Sequence, residues 1–359
     1  MLLSGYITRK DMFFYSKFVP NTSSPMIFSK QTLMFLGVAI STIFVTASCS
    51  NNDPYKTIDG FTQGTTYHIV YSYKTDSLDA IVDSLLTLFD NSLSVYNDSS
   101  IITAVNQNKD VTVDTLFENV FRRSAEIWKE SNGAFDISAA PIFEIWGFGK
   151  GERKKVTKEM IDSIRPFVGM DKVRIENGKV IKADSRLSLN ANAIAQGYTS
   201  DIIAAEFDRI GVDNYLIEVG GEIYCKGVNS SGKKWSVGID RPEEGNMIQG
   251  AEIQMVLLIS GKGLATSGNY RKFIEEDGVK YSHTINPATG APVRHNLLSA
   301  TVLAVDAMTA DAYATWFMVI GLEKAIEIVE SRSDIEALFI YDKDGKFQQY
   351  VSRGLEVKQ

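Results

Sequence analysis

Cysteine, histidine and proline are scarce in this 359-residue chain, at two, three and eight residues. With one cysteine near the N-terminus (Cys49) and the other at Cys225, a disulfide-stapled scaffold is excluded. The sequence has neither a Walker loop nor a G-x-G-x-x-G dinucleotide fingerprint, so a phosphate-bearing ligand would have to be held in another way. Basic charge is also in deficit, with 37 Lys and Arg against 44 Asp and Glu. Repeats and low-complexity linkers are missing between about residues 55 and 355, which favours one intertwined unit over separate beads. At 44% apolar and 23% charged, the chain is neither disordered nor collagenous.

Residues 33–45 (LMFLGVAISTIFV) form an apolar run too short to span a bilayer but suited to the core of a signal peptide, with Lys30 just upstream. Small residues Thr46, Ala47 and Ser48 then precede Cys49, a degenerate lipoprotein cleavage box. The expectation is a leader over 1–48 with its true start at Met26, a lipidated Cys49, a tether over 49–57 and one folded domain over 58–350. The protein would thus sit in a bacterial envelope, lipid-anchored outside the cytoplasmic membrane on the periplasmic side. Removal of 1–48 leaves 33 basic and 43 acidic residues, a net charge of −10, which argues against nucleic-acid binding.

Periodicity predicts a strand over 64–73 and amphipathic helices over 77–92 and 114–131, the latter capped by Asp114 and ended by Gly133. Asn177-Gly178 predicts a hairpin, and a helix near 194–210 stops at Gly211. Strands with tight turns dominate 214–306, followed by helices near 307–331 and a final hairpin at Asp344-Gly345. Strand runs joined by hairpins, with helices gathered between them, indicate an α+β fold.

Within ADAYATW (310–316), Asp311 and Thr315 lie four apart on one helical face, two hard oxygen donors suited to Mg²⁺ and ill suited to zinc. The same pair also fits a surface aspartate beside a threonine that bonds its own backbone. His283 precedes the rigid turn Asn286-Pro287, as a site residue or a satisfied structural histidine; His68 and His295 are assigned no role. Gly220-Gly221-Glu222 offers close backbone approach and a carboxylate, or simply a hairpin turn. Thr266-Ser267-Gly268-Asn269 presents hydroxyls and amides to a phosphate, or is a loop. The aromatics around Phe135, Trp146 and Phe148 would wall a planar ligand or fill a core.

Taken in order, the segments QGTTYHI, LSVYNDSSIITAVN, GAFDIS, PIFEIWGFG, NANAIAQGYTSD, GGE, ATSGNYRKF, SHTINPATG and ADAYATW resemble the ApbE family, the FAD:protein FMN transferases. The resemblance spans residues 58 to about 345. It implies an ApbE-like, T-fold-like single unit with mixed or antiparallel sheets and packed helices. It also implies Mg²⁺ bound by Asp311, Thr315 and the carbonyl of Ala193, and His283 beside the reaction centre. FAD, the substrate, would be bound by Gln63, Tyr96, Ala134, Phe135, Asp136, Asn190, Gln196, Glu222, Thr266, Ser267 and Ile285, with Tyr96 covering the flavin. The implied partner is an acceptor protein such as a flavin-carrying subunit of a membrane electron-transport complex. Three positions depart from the family pattern: Gln63 replaces methionine, Asn190 replaces aspartate and Gln196 replaces lysine. The last two remove opposite charges together, keeping hydrogen-bonding capacity while dropping an ion pair. FAD hydrolysis and non-catalytic FAD binding are the competing activities.

Overall fold

The structure, a computed structural model, describes residues 54–74, 77–148, 156–243, 250–269, 273–276, 279–282 and 284–358. Two units divide the chain after Asn51, and every described residue belongs to the second, Asn52–Gln359.

The described residues open with a hairpin of β1 (Tyr55–Thr62) and β2 (Thr65–Ser72), so the strand begins inside the stretch read as tether. Helices α1 (Asp79–Leu93), α2 (Ile101–Asn106), α3 (Thr115–Glu130), α4 (Ala140–Ile145) and α5 (Lys158–Ile164) follow. A ribbon of β3 (Val173–Glu176) and β4 (Lys179–Lys182) turns at Asn177-Gly178, both in the left-handed region, as an Asn-Gly hairpin requires. Next come α6 (Ala195–Ile210), β5 (Asn214–Val219), β6 (Glu222–Lys226), β7 (Trp235–Asp240), β8 (Ile253–Ile259) and β9 (Lys262–Gly268). Two short ribbons, β10 (Phe273–Glu276) with β11 (Val279–Ser282) and β12 (Ile285–Asn286) with β13 (Ala291–Pro292), lead to β14 (Leu297–Ala304). Helices α7 (Ala307–Ile320) and α8 (Leu322–Glu330) and the hairpin of β15 (Glu336–Lys343) and β16 (Lys346–Val351) complete the unit.

Among the described residues the main sheet has eight strands in the order β1-β2-β5-β6-β9-β14-β15-β16, each neighbouring pair antiparallel. Its two faces are read directly from period-two alternation. On one face, Ile69 and Tyr71 of β2 and Ile217 of β5 pack against Val82 of α1 and Phe207 of α6. Farther along that face, Ala300 and Val302 of β14 and Phe339 of β15 meet α3 and α7. On the other face, Leu216, Ile223 and Leu303 pack under the β7–β8 ribbon through Trp235, Val237 and Leu257. Helix α7 is alanine-rich and buried along most of its length, as a central helix should be. Asp114 caps α3 as expected, accepting the Phe117 amide at 2.8 Å, and Gly211 ends α6 in the left-handed region.

Candidate active site

A cavity of about 440 Å³, within the range of small-molecule sites, is lined by residues of α7, of the segments that flank the helices, and of β6, β7 and β9. Its wall includes Tyr96, Ala134, Phe135, Asp136, Asn190, Ala193, Gln196, Glu222, Thr266, Ser267, Ile285, Asp311 and Thr315. These residues come from distant parts of the chain, and strand pairing is what gathers them.

Asp311 and Thr315 both reach the cavity from α7, one turn apart. Asp311 is 5% exposed, and burial pushes its carboxyl up to about 7; the Gly197 amide, donating to Oδ2 at 3.2 Å, offsets only part of that. Thr315 Oγ1 lies 3.3 Å from Ser267 Oγ on β9. The approach of α6 to α7 depends on Gly197: a Cβ there would fall 2.2 Å from the Ala307 carbonyl oxygen and 2.9 Å from Asp311 Cβ. Ala193 lies just ahead of α6.

The β5–β6 turn, Gly220-Gly221, keeps both residues at positive φ and brings its backbone against Gln196, whose Nε2 is 2.6 Å from where a Gly220 Cβ would stand. The Glu218 carboxylate accepts the Gly221 amide at 2.7 Å, fixing that turn. Glu222, 7% exposed, follows on β6, and its carbonyl accepts the Ser200 hydroxyl at 2.9 Å. Asn190 Oδ1 accepts the Asn192 amide at 2.9 Å, while the Asn190 amide donates to the Ile137 carbonyl at 2.8 Å. Thr266 Oγ1 shares a 2.9 Å hydrogen bond with Thr301.

Tyr96 is 60% exposed on the cavity wall, an aromatic face open to a planar ligand. Phe143 and Phe148 add to the wall, and Trp146 Nε1 donates to the Gly290 carbonyl at 2.8 Å, tying α4 to the Asn286-Pro287 turn. Thr284, Ile285 and Pro287 line the cavity immediately after His283. His283 itself and Cys49 lie outside the described residues.

Gln63, expected to bind the ligand, is not among the residues that line the cavity. It opens the β1–β2 turn at φ 49°, and its amide donates to Thr199 Oγ1 at 2.6 Å, which ties the hairpin to α6 instead. Sequence reasoning also missed part of the wall. Val237, Gly238, Ile239 and Asp240 come from β7, whose alternation carries no ligand signal. Met318 and Val319 were missed as well, although they repeat the face of Asp311 and Thr315 at helical spacing, a signal that would have found them.

Asp136, 9% exposed, accepts the Ser138 amide at 2.8 Å, the Ser138 hydroxyl at 2.6 Å and Trp128 Nε1 at 3.1 Å. Burial outweighs these bonds and pushes its carboxyl from 3.8 to about 6. Between those values the folded chain keeps a proton that the unfolded chain has released. The stabilisation is therefore complete below the unfolded value and is lost as pH rises through about 6, with a slope of at most about 1.4 kcal/mol per pH unit. Urea denaturation across this window should show wild type losing stability relative to Asp136→Asn as pH rises, then a constant difference above about pH 7. Parallel stability curves would mean an unperturbed carboxyl.

The architecture is that of the flavin transferases. The chain resembles the flavin transferase ApbE from Vibrio cholerae with a TM-score of 0.75 at 32% identity, over 83% of this chain and 97% of that one. The apo form of the Pseudomonas stutzeri flavinyl transferase ApbE gives 0.74 at 29% identity, over 83% and 95%. A curated FAD:protein FMN transferase of Vibrio cholerae is 32% identical over 325 residues, 88% of this chain and 96% of that protein. One of Escherichia coli K12 is 31% identical over 310 residues, 82% and 86% of the two chains. The sequence model of the ApbE family matches residues 63–339, and this chain belongs to the ApbE family.

Proposed function

We propose that this protein transfers the FMN half of FAD to a serine or threonine hydroxyl of an acceptor protein, releasing AMP. The observation that carries the reading is the Asp311–Thr315 pair, a buried carboxylate and a hydroxyl one turn apart on the wall of a ligand-sized cavity. FAD:protein FMN transferases of similar sequence over most of their length support it.

Mg²⁺ suits these donors, which are hard oxygens at a carboxylate that burial leaves short of compensation. Asp311, Thr315 and the Ala193 carbonyl would hold it, and when bound it would neutralise charge developing on the FAD diphosphate. In the transfer, the acceptor oxygen forms a bond to the FMN phosphorus while the bond from that phosphorus to the AMP oxygen breaks. The hydroxyl proton leaves to a base, and AMP departs with the bridging oxygen. His283 is the residue we assign to that proton or to orienting the phosphate. Tyr96 and Phe135 wall the flavin side, and Gln196 and Asn190 supply neutral hydrogen-bonding groups where the family pattern has a charged pair.

His283→Ala should retain FAD affinity while lowering turnover by about 100-fold or more. Flavin fluorescence titration and single-turnover rates separate the two effects; weaker binding with unchanged turnover at saturation would reverse the assignment. The activity itself is tested by incubating protein, FAD and Mg²⁺ with an acceptor-motif peptide. Peptide-linked FMN with AMP supports transfer, AMP without labelled peptide means a hydrolase, and intact FAD means a binder.

The leader, the lipidated Cys49 and the periplasmic location complete the proposal. They place the enzyme on the membrane side where flavin-carrying subunits of electron-transport complexes would be its acceptors. Palmitate labelling of the wild type but not of Cys49→Ala supports the anchor, and equal labelling removes it.

A further inference from the structure

Helices α6 and α7 cap one another. Asp311, on α7, accepts the Gly197 amide in the first turn of α6, where Ile194 at the N-cap has no side-chain bond to offer. In return, Asp201, one turn beyond Gly197 on α6, accepts the first two amides of α7: Ala307 at Oδ1 and Met308 at Oδ2, each at 2.8 Å. Asp306 covers the next, accepting the Thr309 amide at 2.6 Å. Residues 197 and 201 lie on one face of α6, so the two contacts fix both the slide and the rotation of α7.

We infer that Asp201 is a positioning residue which, by gripping the start of α7 with both carboxylate oxygens, sets the direction in which Asp311 and Thr315 meet a divalent cation. The inference rests on the metal reading given under Proposed function. Neither Ala307 nor Met308 offers a side-chain donor, so the grip works through backbone amides alone and is set by the spacing of the two helices. Asp201 is absent from the cavity wall, so its effect on a cation is transmitted through the helix. Loss of a partner that orients a metal ligand lowers metal affinity by about 10- to 100-fold.

The test uses the full chain with FAD and Mn²⁺ as an ion visible by electron paramagnetic resonance. Asp201→Asn keeps the shape but puts an amide donor against a backbone N–H. It should raise the Mn²⁺ dissociation constant by about 10-fold or more while leaving metal-free FAD binding, read by flavin fluorescence, within about twofold. A general loosening of the fold would weaken both. Mn²⁺ binding within twofold of wild type by Asp201→Asn, alongside weakened binding by Asp311→Asn, overturns the role of Asp201. Unchanged Mn²⁺ binding by Asp311→Asn overturns the metal reading itself. If Asp201→Asn does not fold, as judged by circular dichroism, Asp201→Ser, a shorter cap that accepts only one amide, carries the same comparison.

Discussion

Asp311→Ala is expected to lower FMN transfer by more than about 100-fold, with EDTA producing the same loss in the wild-type protein. The fold should survive the change. Burial already works against the Asp311 charge, and the neighbouring α7 residues include Ala310, Ala312 and Ala314, so alanine continues the helix without strain. The cost in the metal-free chain is one acceptor for the Gly197 amide, about 1 kcal/mol, partly returned by removing a poorly solvated carboxylate. Thermal melting with and without FAD and Mg²⁺ separates stability from ligand binding. Wild type should gain stability on adding both, and the variant should gain markedly less. Full transfer by Asp311→Ala in metal-free buffer would remove the cation from the mechanism.

Gly197→Ala should be strongly destabilising for a single added methyl. The added Cβ would meet the Ala307 carbonyl oxygen at 2.2 Å, and that atom belongs to the backbone, so no rotamer change relieves the contact. Helix α7 would have to move off α6, breaking the Gly197–Asp311 bond and both amides held by Asp201. We expect a loss of about 3 kcal/mol or more, together with loss of transfer in whatever fraction stays folded. Urea unfolding checks the first and peptide labelling the second. Near-wild-type stability would show that the two helices tolerate a wider separation than their packing indicates.

Much of the fold was legible because local signals agreed with one another. The Asn177-Gly178 turn, the Asp114 cap and the Gly211 stop fall where turn and capping chemistry put them. The order of strands was not legible, since β9 joins β6 to β14 through pairing across long stretches of sequence that no local pattern encodes. At the site, Asp311 and Thr315 could be paired from helical spacing alone, yet spacing could not say whether they face solvent or a cavity. Gln63 shows the opposite limit. Its place beside Gly64 fits turn chemistry as well as ligand binding, and the turn with its bond to Thr199 is what the structure shows. The β7 wall gave no sequence signal because Val237 and Ile239 serve the core and the cavity with one apolar pattern.

The cavity wall is assembled from segments scattered between Tyr96 and Val319, brought together only after β6, β9 and β14 have found one another. Closure between such sequence-distant segments carries a large loop-closure cost, so we expect the binding site to form late in folding. A dinucleotide present while the chain is still collapsing would have nothing formed to grip, so it would slow unfolding of the finished protein far more than it would speed its birth.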